Sequence, residues 1–187
     1  MKLDEQLEER LKSEAIKYLE QGKPDWDIPH TLATVHWMRQ LIEKEGGDER
    51  TLVTTMYLHD VGYPELKKGY DFDDLMKSKK HHAQNGAEIA EEILTNLEYS
   101  PTEVKTIIKL VGDHYNKENI NTHDLQLVIE ADGLAKIDWE RVTPNFDKEN
   151  CLKYLDYFKG RTAPQFRTNT GKRSLKELLQ KAENYWK

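Results

Sequence analysis

Apolar residues recur every three to four positions along most of the chain, the spacing of amphipathic helices, and no stretch alternates in the manner of a strand. Leu3, Leu7, Leu11, Ala15, Tyr18 and Leu19 give one apolar face to a helix over residues 3–21, which Gly22-Lys23-Pro24 closes. Asp27 offers a cap and Pro29 suits a first turn, so a second helix is expected from there to about Glu45, stopped by Gly46-Gly47. His30, Ala33, Trp37 and Leu41 share its buried face, whereas His36 falls with Arg39, Gln40 and Glu43. A third helix over about 48–60 carries Leu52, Met56 and His59 at i, i+4 and i+7. Gly62, able to adopt a left-handed cap, and Pro64 end it just after Asp60.

From Tyr63 to Lys80 the periodicity fails, and the stretch reads as a long loop. It returns over residues 81–97, where His82, Gly86, Ile89, Ala90, Ile93 and Leu97 form a stripe and His81 aligns with Gln84, Asn85, Glu88 and Glu92. Ser100-Pro101-Thr102-Glu103 opens a fifth helix in which Val104, Ile107, Ile108 and Val111 lead in register to His114. Thr122 or Asp124 caps a sixth, where Leu125, Val128 and Ile129 lead to Asp132; His123, just before it, faces solvent. After a looser stretch around Val142-Thr143-Pro144-Asn145, a short helix over about 148–159 holds Leu152, Leu155 and Phe158. Residues 160–171 read as loop, and Ser174 opens a last helix through Leu175, Leu178, Leu179 and Tyr185. The expectation is an all-α fold in one domain over 1–187. Its core spans about 27–137, with an N-terminal helix over 1–22 and a C-terminal helical extension over 145–187.

Composition narrows the class. The 187 residues suffice for one domain with a real core, and 33% charged against 37% hydrophobic residues suits helices that bury one face. A net charge of −6 argues against extended nucleic-acid binding, which needs phosphate neutralisation. The single cysteine, Cys151, allows no internal disulfide and fits a reducing compartment. The N-terminus has no apolar core for a signal peptide, and no run reaches the roughly eighteen apolar residues of a membrane span. A cytoplasmic location is expected.

Four of the seven histidines, His30, His59, His82 and His114, lie on apolar faces of four different helices, and Asp60 and Asp132 share that placement or its edge. A buried carboxylate is costly unless paired or bound to metal, and Asp132 amid Leu125, Val128 and Ile129 demands a partner. Any one of these residues could be a satisfied core histidine or a buried salt bridge. One shared centre explains all six. Imidazole and carboxylate without thiolate favour Mn, Fe, Zn, Ni, Co or Mg, and six ligands have the capacity for one or two divalent ions, with a carboxylate bridging. Two such ions can hold a phosphate, activate a water and stabilise a leaving oxygen.

The order His30, His59-Asp60, Asp132 resembles the H…HD…D signature of the HD-domain superfamily of metal-dependent phosphohydrolases. Leu58-His59-Asp60-Val61-Gly62 is similar to that family's LHDIG element, and Glu130-Ala131-Asp132-Gly133-Leu134 to its closing A-D-x-L element. The segment from His82 to Ala90 resembles the one in which some members supply a further metal-binding histidine. The resemblance runs from about Asp27 to Ile137 and implies a helical bundle with the metal centre between helices. His30, His59, Asp60 and Asp132 would be its core ligands, His82 and His114 would complete a second metal, and the adjacent His59 and Asp60 would be the catalytic pair. It further implies hydrolysis of a phosphate ester of a small metabolite or nucleotide by metal-activated water. Tyr63 stands where some relatives carry a lysine.

The same ligand set is similar to that of HD-fold proteins that hold two irons and oxidise a C–H or C–P bond with dioxygen, and a non-catalytic regulatory or ligand-binding domain is a third reading. Lys67, Lys68, Lys77, Lys79 and Lys80, with Arg161, Arg167, Lys172 and Arg173, are the candidate contacts to a phosphorylated substrate. Individually each is an ordinary surface charge. The first helix could pack on its own domain or on a second copy in a homodimer, and the tryptophans read as packing anchors.

Overall fold

A computed structural model of the protein describes residues 1–63, 82–116 and 119–186. Among the described residues there are eight α-helices and no strand: α1 (Glu5–Leu19), α2 (Pro24–Glu45), α3 (Glu49–Leu58), α4 (His82–Asn96), α5 (Pro101–Asp113), α6 (His123–Ile137), α7 (Lys148–Arg161) and α8 (Asn169–Asn184). A 3-10 turn at Ala163–Gln165 joins the last two. None of these helices is long and apolar enough to cross a membrane. Side-chain caps start most of them. Asp4, Asp48, Thr122, Asp147 and Thr168 each accept from a backbone N–H in the first turn, and Ser100 with Glu103 forms a reciprocal capping box.

Two starts differ from the sequence pattern. α2 begins at Pro24, not after Asp27, because proline's fixed φ suits the first helical position. Asp27 instead reaches back and accepts from the backbone N–H of Lys23 at 2.6 Å, so Pro29 falls inside the helix and leaves the carbonyl one turn before it without its usual donor. α8 begins at Asn169, five residues ahead of Ser174, under a Thr168 cap. The buried carboxylate of Glu130 on α6 holds that start in place, accepting from the backbone N–H of Arg167 at 2.6 Å and of Thr168 at 2.9 Å, and from the Thr168 hydroxyl. No local pattern announces a helix started by a residue some forty positions upstream.

α6 is the axis of the bundle. Every residue from Leu125 to Ile137 is buried, and α2, α3, α5 and α8 all pack against it. α4 lies along α5, and α1 packs on α2, α3 and α4 of its own chain through Leu11, Ala15 and Leu19. One apolar cluster runs from Leu3 to Ala182. In α7 the inward residues are Cys151, Leu155 and Phe158, at i, i+4 and i+7. Leu152, expected inside, is one position off that stripe and 46% exposed.

Gly62 does not adopt the left-handed backbone expected of a helix cap; among the described glycines only Gly46 and Gly47 have positive φ. Its role is spatial. A Cβ at Gly62 would fall 2.2 Å from both the Gly86 nitrogen and the His82 carbonyl oxygen, so the turn after α3 presses directly on the first turn of α4. Backbone atoms cannot swing aside, and Gly62→Ala is expected to destabilise the fold by about 3 kcal/mol, the upper end for overpacking. Denaturant unfolding measures this, and an unchanged midpoint would refute the close approach.

Candidate metal centre

The centre is assembled from helix ends. His59 is the C-cap of α3 and His114 the C-cap of α5, both with helical backbone angles. In each case the ring Nδ1 lies against a carbonyl three residues back: His59 on Met56 at 2.8 Å and His114 on Val111 at 2.5 Å. A carbonyl only accepts, so Nδ1 carries the proton, a last-turn carbonyl gains a donor, and Nε2 is turned inward. The local device is the same at both helix ends. His30 comes from the second turn of α2, His82 from the first residue of α4, and Asp132 from the middle of α6. The four histidines are fully buried, and Asp60 and Asp132 are 4% and 2% exposed.

These six residues form two groups. His30, His59, Asp60 and Asp132 make one, and Asp60, His82 and His114 the other, with ligand atoms in each group within 4.8 Å of one another. Asp60 belongs to both. Its Oδ2 lies 3.4 Å from His30 Nε2 and 3.2 Å from His59 Nε2, while its Oδ1 lies 3.7 Å from His82 Nε2 and 3.6 Å from His114 Nε2. Asp132 Oδ1 closes the first group, 3.2 Å from His30 Nε2 and 3.6 Å from His59 Nε2. In both groups two Nε2 atoms approach to 3.3 Å. A ring pair this close needs a proton or a cation between its two nitrogens. Asp60 Oδ1 and His30 Nδ1 are buried and make no hydrogen bond, which is costly for such groups without a further partner. The donor set, imidazole with carboxylate, fits a divalent ion in each group.

Comparison with known families agrees with this geometry. The HD domain profile matches residues 28–159, more than half of the chain. The chain belongs to the HD-domain family. No curated protein and no solved structure matches it. The matched range ends within α7.

Electrostatics in this HD domain centre on the two carboxylates. Burial alone would raise the Asp60 carboxyl, but the approach of the His59, His114 and His30 rings holds it well below the usual range. Asp132 is likewise lowered against burial, by Lys136, His30 and His59. Lys136 lies one turn along α6, and its ammonium pairs with Asp132 Oδ2, leaving Oδ1 for the centre. Burial disfavours the charged His59 ring, yet Asp60 and Asp132 outweigh it and push its pKa up to about 10.

A cavity of about 40 Å³, room for a few waters, opens beside Asp60. Lys23 and Trp26 line it from the start of α2, Tyr63 from the turn after Asp60, and Lys136 and Trp139 from the end of α6. Phe146 and Tyr154 belong to the same wall. Trp26 stacks on His30 at 5.8 Å and Tyr63 on His82 at 4.2 Å, so these aromatic rings shield the histidines from water.

All six expected ligand residues therefore meet. The lysines expected to contact substrate do not all fall where they can be judged, because Lys67, Lys68, Lys77, Lys79 and Lys80, like His81, lie outside the described residues. Arg167 is not on the cavity wall: its side chain donates to the Ile120 carbonyl at 3.3 Å and its backbone is held by Glu130. Lys172 is exposed on α8, and Arg161 and Arg173 are exposed as well, also off that wall. Sequence reasoning missed Lys23 and Lys136. Lys136 had a signal, since a buried Asp132 needs a partner and a lysine follows at i+4 on an otherwise apolar helix.

Two outcomes follow for metal binding. The His59 pKa of about 10 exceeds the ordinary value of about 6.5, so its proton stabilises the metal-free fold fully below about pH 6.5, and that contribution is lost as pH rises through about 10. The lowered carboxylates act in the opposite sense, stabilising above the ordinary carboxylate range and losing that effect on acidification. A divalent ion on His59 Nε2 must displace its proton. Near pH 8, uptake is expected to release about one proton per chain, read as the buffer dependence of calorimetric heat. A buffer-independent heat would remove His59 from the ligand set. Lys136→Met, which frees Asp132 Oδ2, should weaken metal binding about 10–100-fold, and an unchanged affinity would show that the ion pair does not orient the ligand.

Proposed function

We propose that this HD-domain protein is a metal-dependent phosphohydrolase that cleaves a phosphate ester of a small metabolite or nucleotide. The observation that carries the reading is the division of Asp60, one oxygen towards His30 and His59 and the other towards His82 and His114, as a carboxylate bridging two ions would require. We assign His30, His59, Asp60, His82, His114 and Asp132 as ligands. Bound there, divalent ions would lower the pKa of a water nucleophile and offset charge developing on the phosphoryl oxygens.

The chain's own residues supply the rest. Met56 and Val111 carbonyls keep the His59 and His114 protons on Nδ1 and hold the rings in orientation. Lys136 fixes Asp132 and, with Lys23, gives the cavity positive charge that draws an anionic ester. Trp26, Tyr63 and Trp139 limit the water around it, which strengthens each electrostatic contact. A buried Cys151 that forms no disulfide fits a reducing compartment, and we place the activity in the cytoplasm.

The test is turnover of a generic phosphate monoester by protein loaded in turn with Mn, Fe, Zn, Ni, Co or Mg, under nitrogen. Metal-dependent phosphate release without oxygen is expected, and Asp60→Asn should lower it on the order of 10³-fold. The complete set of four histidines and two aspartates also favours a second reading, a di-iron oxygenase. Predominant iron as isolated, with substrate consumed only under air, would replace the hydrolase by that chemistry. A chain that takes up no metal would be a binding domain.

A further inference from the structure

His59 and His114 each lend their Nδ1–H to a carbonyl three residues back, because both stand at helix ends, where such a carbonyl has no helical donor. His30 cannot copy them. It sits in the second turn of α2, where the carbonyl three residues back, that of Asp27, faces the N–H of Thr31 in the helical ladder. The His30 Nδ1 is buried and makes no hydrogen bond. A metal-ligating histidine gives its second N–H to a carboxylate, a carbonyl or a water, which fixes the ring and keeps the other nitrogen for the ion.

The turn beneath His30 holds an unused acceptor. Helical side chains lean towards the helix N-terminus, so the His30 ring lies over the turn that carries Trp26 and Asp27. Trp26 covers the ring face, at 5.8 Å between centres and 13°. Asp27, three residues back, is 1% exposed and lies on the same side of the helix. Its Oδ2 accepts from the Lys23 backbone N–H at 2.6 Å. Its Oδ1 makes no hydrogen bond, and the Lys23 ammonium, 3.5 Å away, gives it charge without a directed proton. Burial raises the Asp27 carboxyl, while Lys23 and, less strongly, His30 act to lower it, so ring and carboxylate lie within reach of each other's charge. Side chains at this spacing have Cβ atoms about 5–6 Å apart, a span that one water bridges. The small cavity lined by Lys23 and Trp26 of the same turn gives room for water there.

We propose that Asp27 is the positioning residue for His30: its Oδ1 accepts the Nδ1–H of the ring through one bound water, and so holds Nε2 towards Asp60 and Asp132 for a divalent ion in the first ligand group. This rests on the metal-ligand assignment behind the phosphohydrolase reading, but its test needs no turnover.

The experiment titrates the full chain, with isotope-labelled histidines, with zinc, and follows both affinity and the imidazole N–H protons by NMR. Asp27→Asn is the variant, since its amide oxygen can still accept from the Lys23 backbone N–H. Zinc in the first ligand group should bind at least about tenfold more weakly, with zinc in the second group unaffected. In the zinc-loaded variant the His30 Nδ1–H should shift and exchange faster with solvent, while those of His59 and His114, held by carbonyls, stay in place. A general loosening of the fold would move all three. If Asp27→Asn unfolds because Lys23 loses its counter-charge, the double variant Lys23→Gln/Asp27→Asn removes both charges and should show the same selective loss. Unchanged zinc affinity overturns the proposal, as does a His30 signal that does not respond or an equal change at all three rings. If zinc binds with this dependence on Asp27 and no phosphate ester is cleaved, the hydrolase reading fails and the role of Asp27 stands. A wild-type chain that takes up no zinc overturns both.

Discussion

A carboxylate shut away from water, with one of its oxygens making no hydrogen bond, is the constraint around which this fold is arranged. Asp60 is tolerable in the core only because ring nitrogens approach it from both sides. Those rings must come from separate elements, since one helix cannot place four imidazoles around one point. The bundle therefore sets the ends of α3 and α5, the second turn of α2, the first turn of α4 and the middle of α6 against each other. The contact between Gly62 and Gly86 belongs to the same requirement, because any side chain at Gly62 would part the Asp60 turn from α4.

α6 shows how a helix can be buried on every side and still carry charge. Glu130, Asp132 and Lys136 all lie in its buried run. Each is answered at once: Glu130 by the backbone that opens α8, Asp132 by the centre and Lys136, and Lys136 by Asp132. The polar groups buried here are thus either structural or directed at the centre, and the two kinds alternate along one helix. Glu130 anchors the C-terminal segment, whereas Asp132, two residues on and facing elsewhere, serves the site.

The chemistry follows from this division of labour. Carbonyl-locked rings turn their Nε2 atoms inward, the shared aspartate joins the two groups, and lysines with aromatic rings form the cavity wall beside them. Each of these roles belongs to a side chain whose rotamer is fixed by a neighbour: Met56, Val111, Lys136 or Tyr63. Preorganisation of that kind is what lets a site act without rearranging at the moment of reaction.

Much of this could be read from the chain alone, where the reason was local. Helical periodicity and capping residues mark the helices, and the register of His30, His59, His82, His114 and Asp132 with apolar neighbours marks them as inward, because period and burial are properties of one element. The element order H…HD…D is likewise a matter of sequence. Tertiary structure decided what depends on two elements meeting. It set the start of α8, governed by Glu130 on α6, and the need for glycine at position 62, which comes from α4 and not from backbone handedness. The split of Asp60 between two groups of nitrogens was its doing, as was the placing of Lys23 and Trp26 on the cavity wall while Arg167 was drawn to the Ile120 carbonyl. A sequence states what each residue can donate, accept or bury; which partner it finds depends on distances that exist only once the helices are packed.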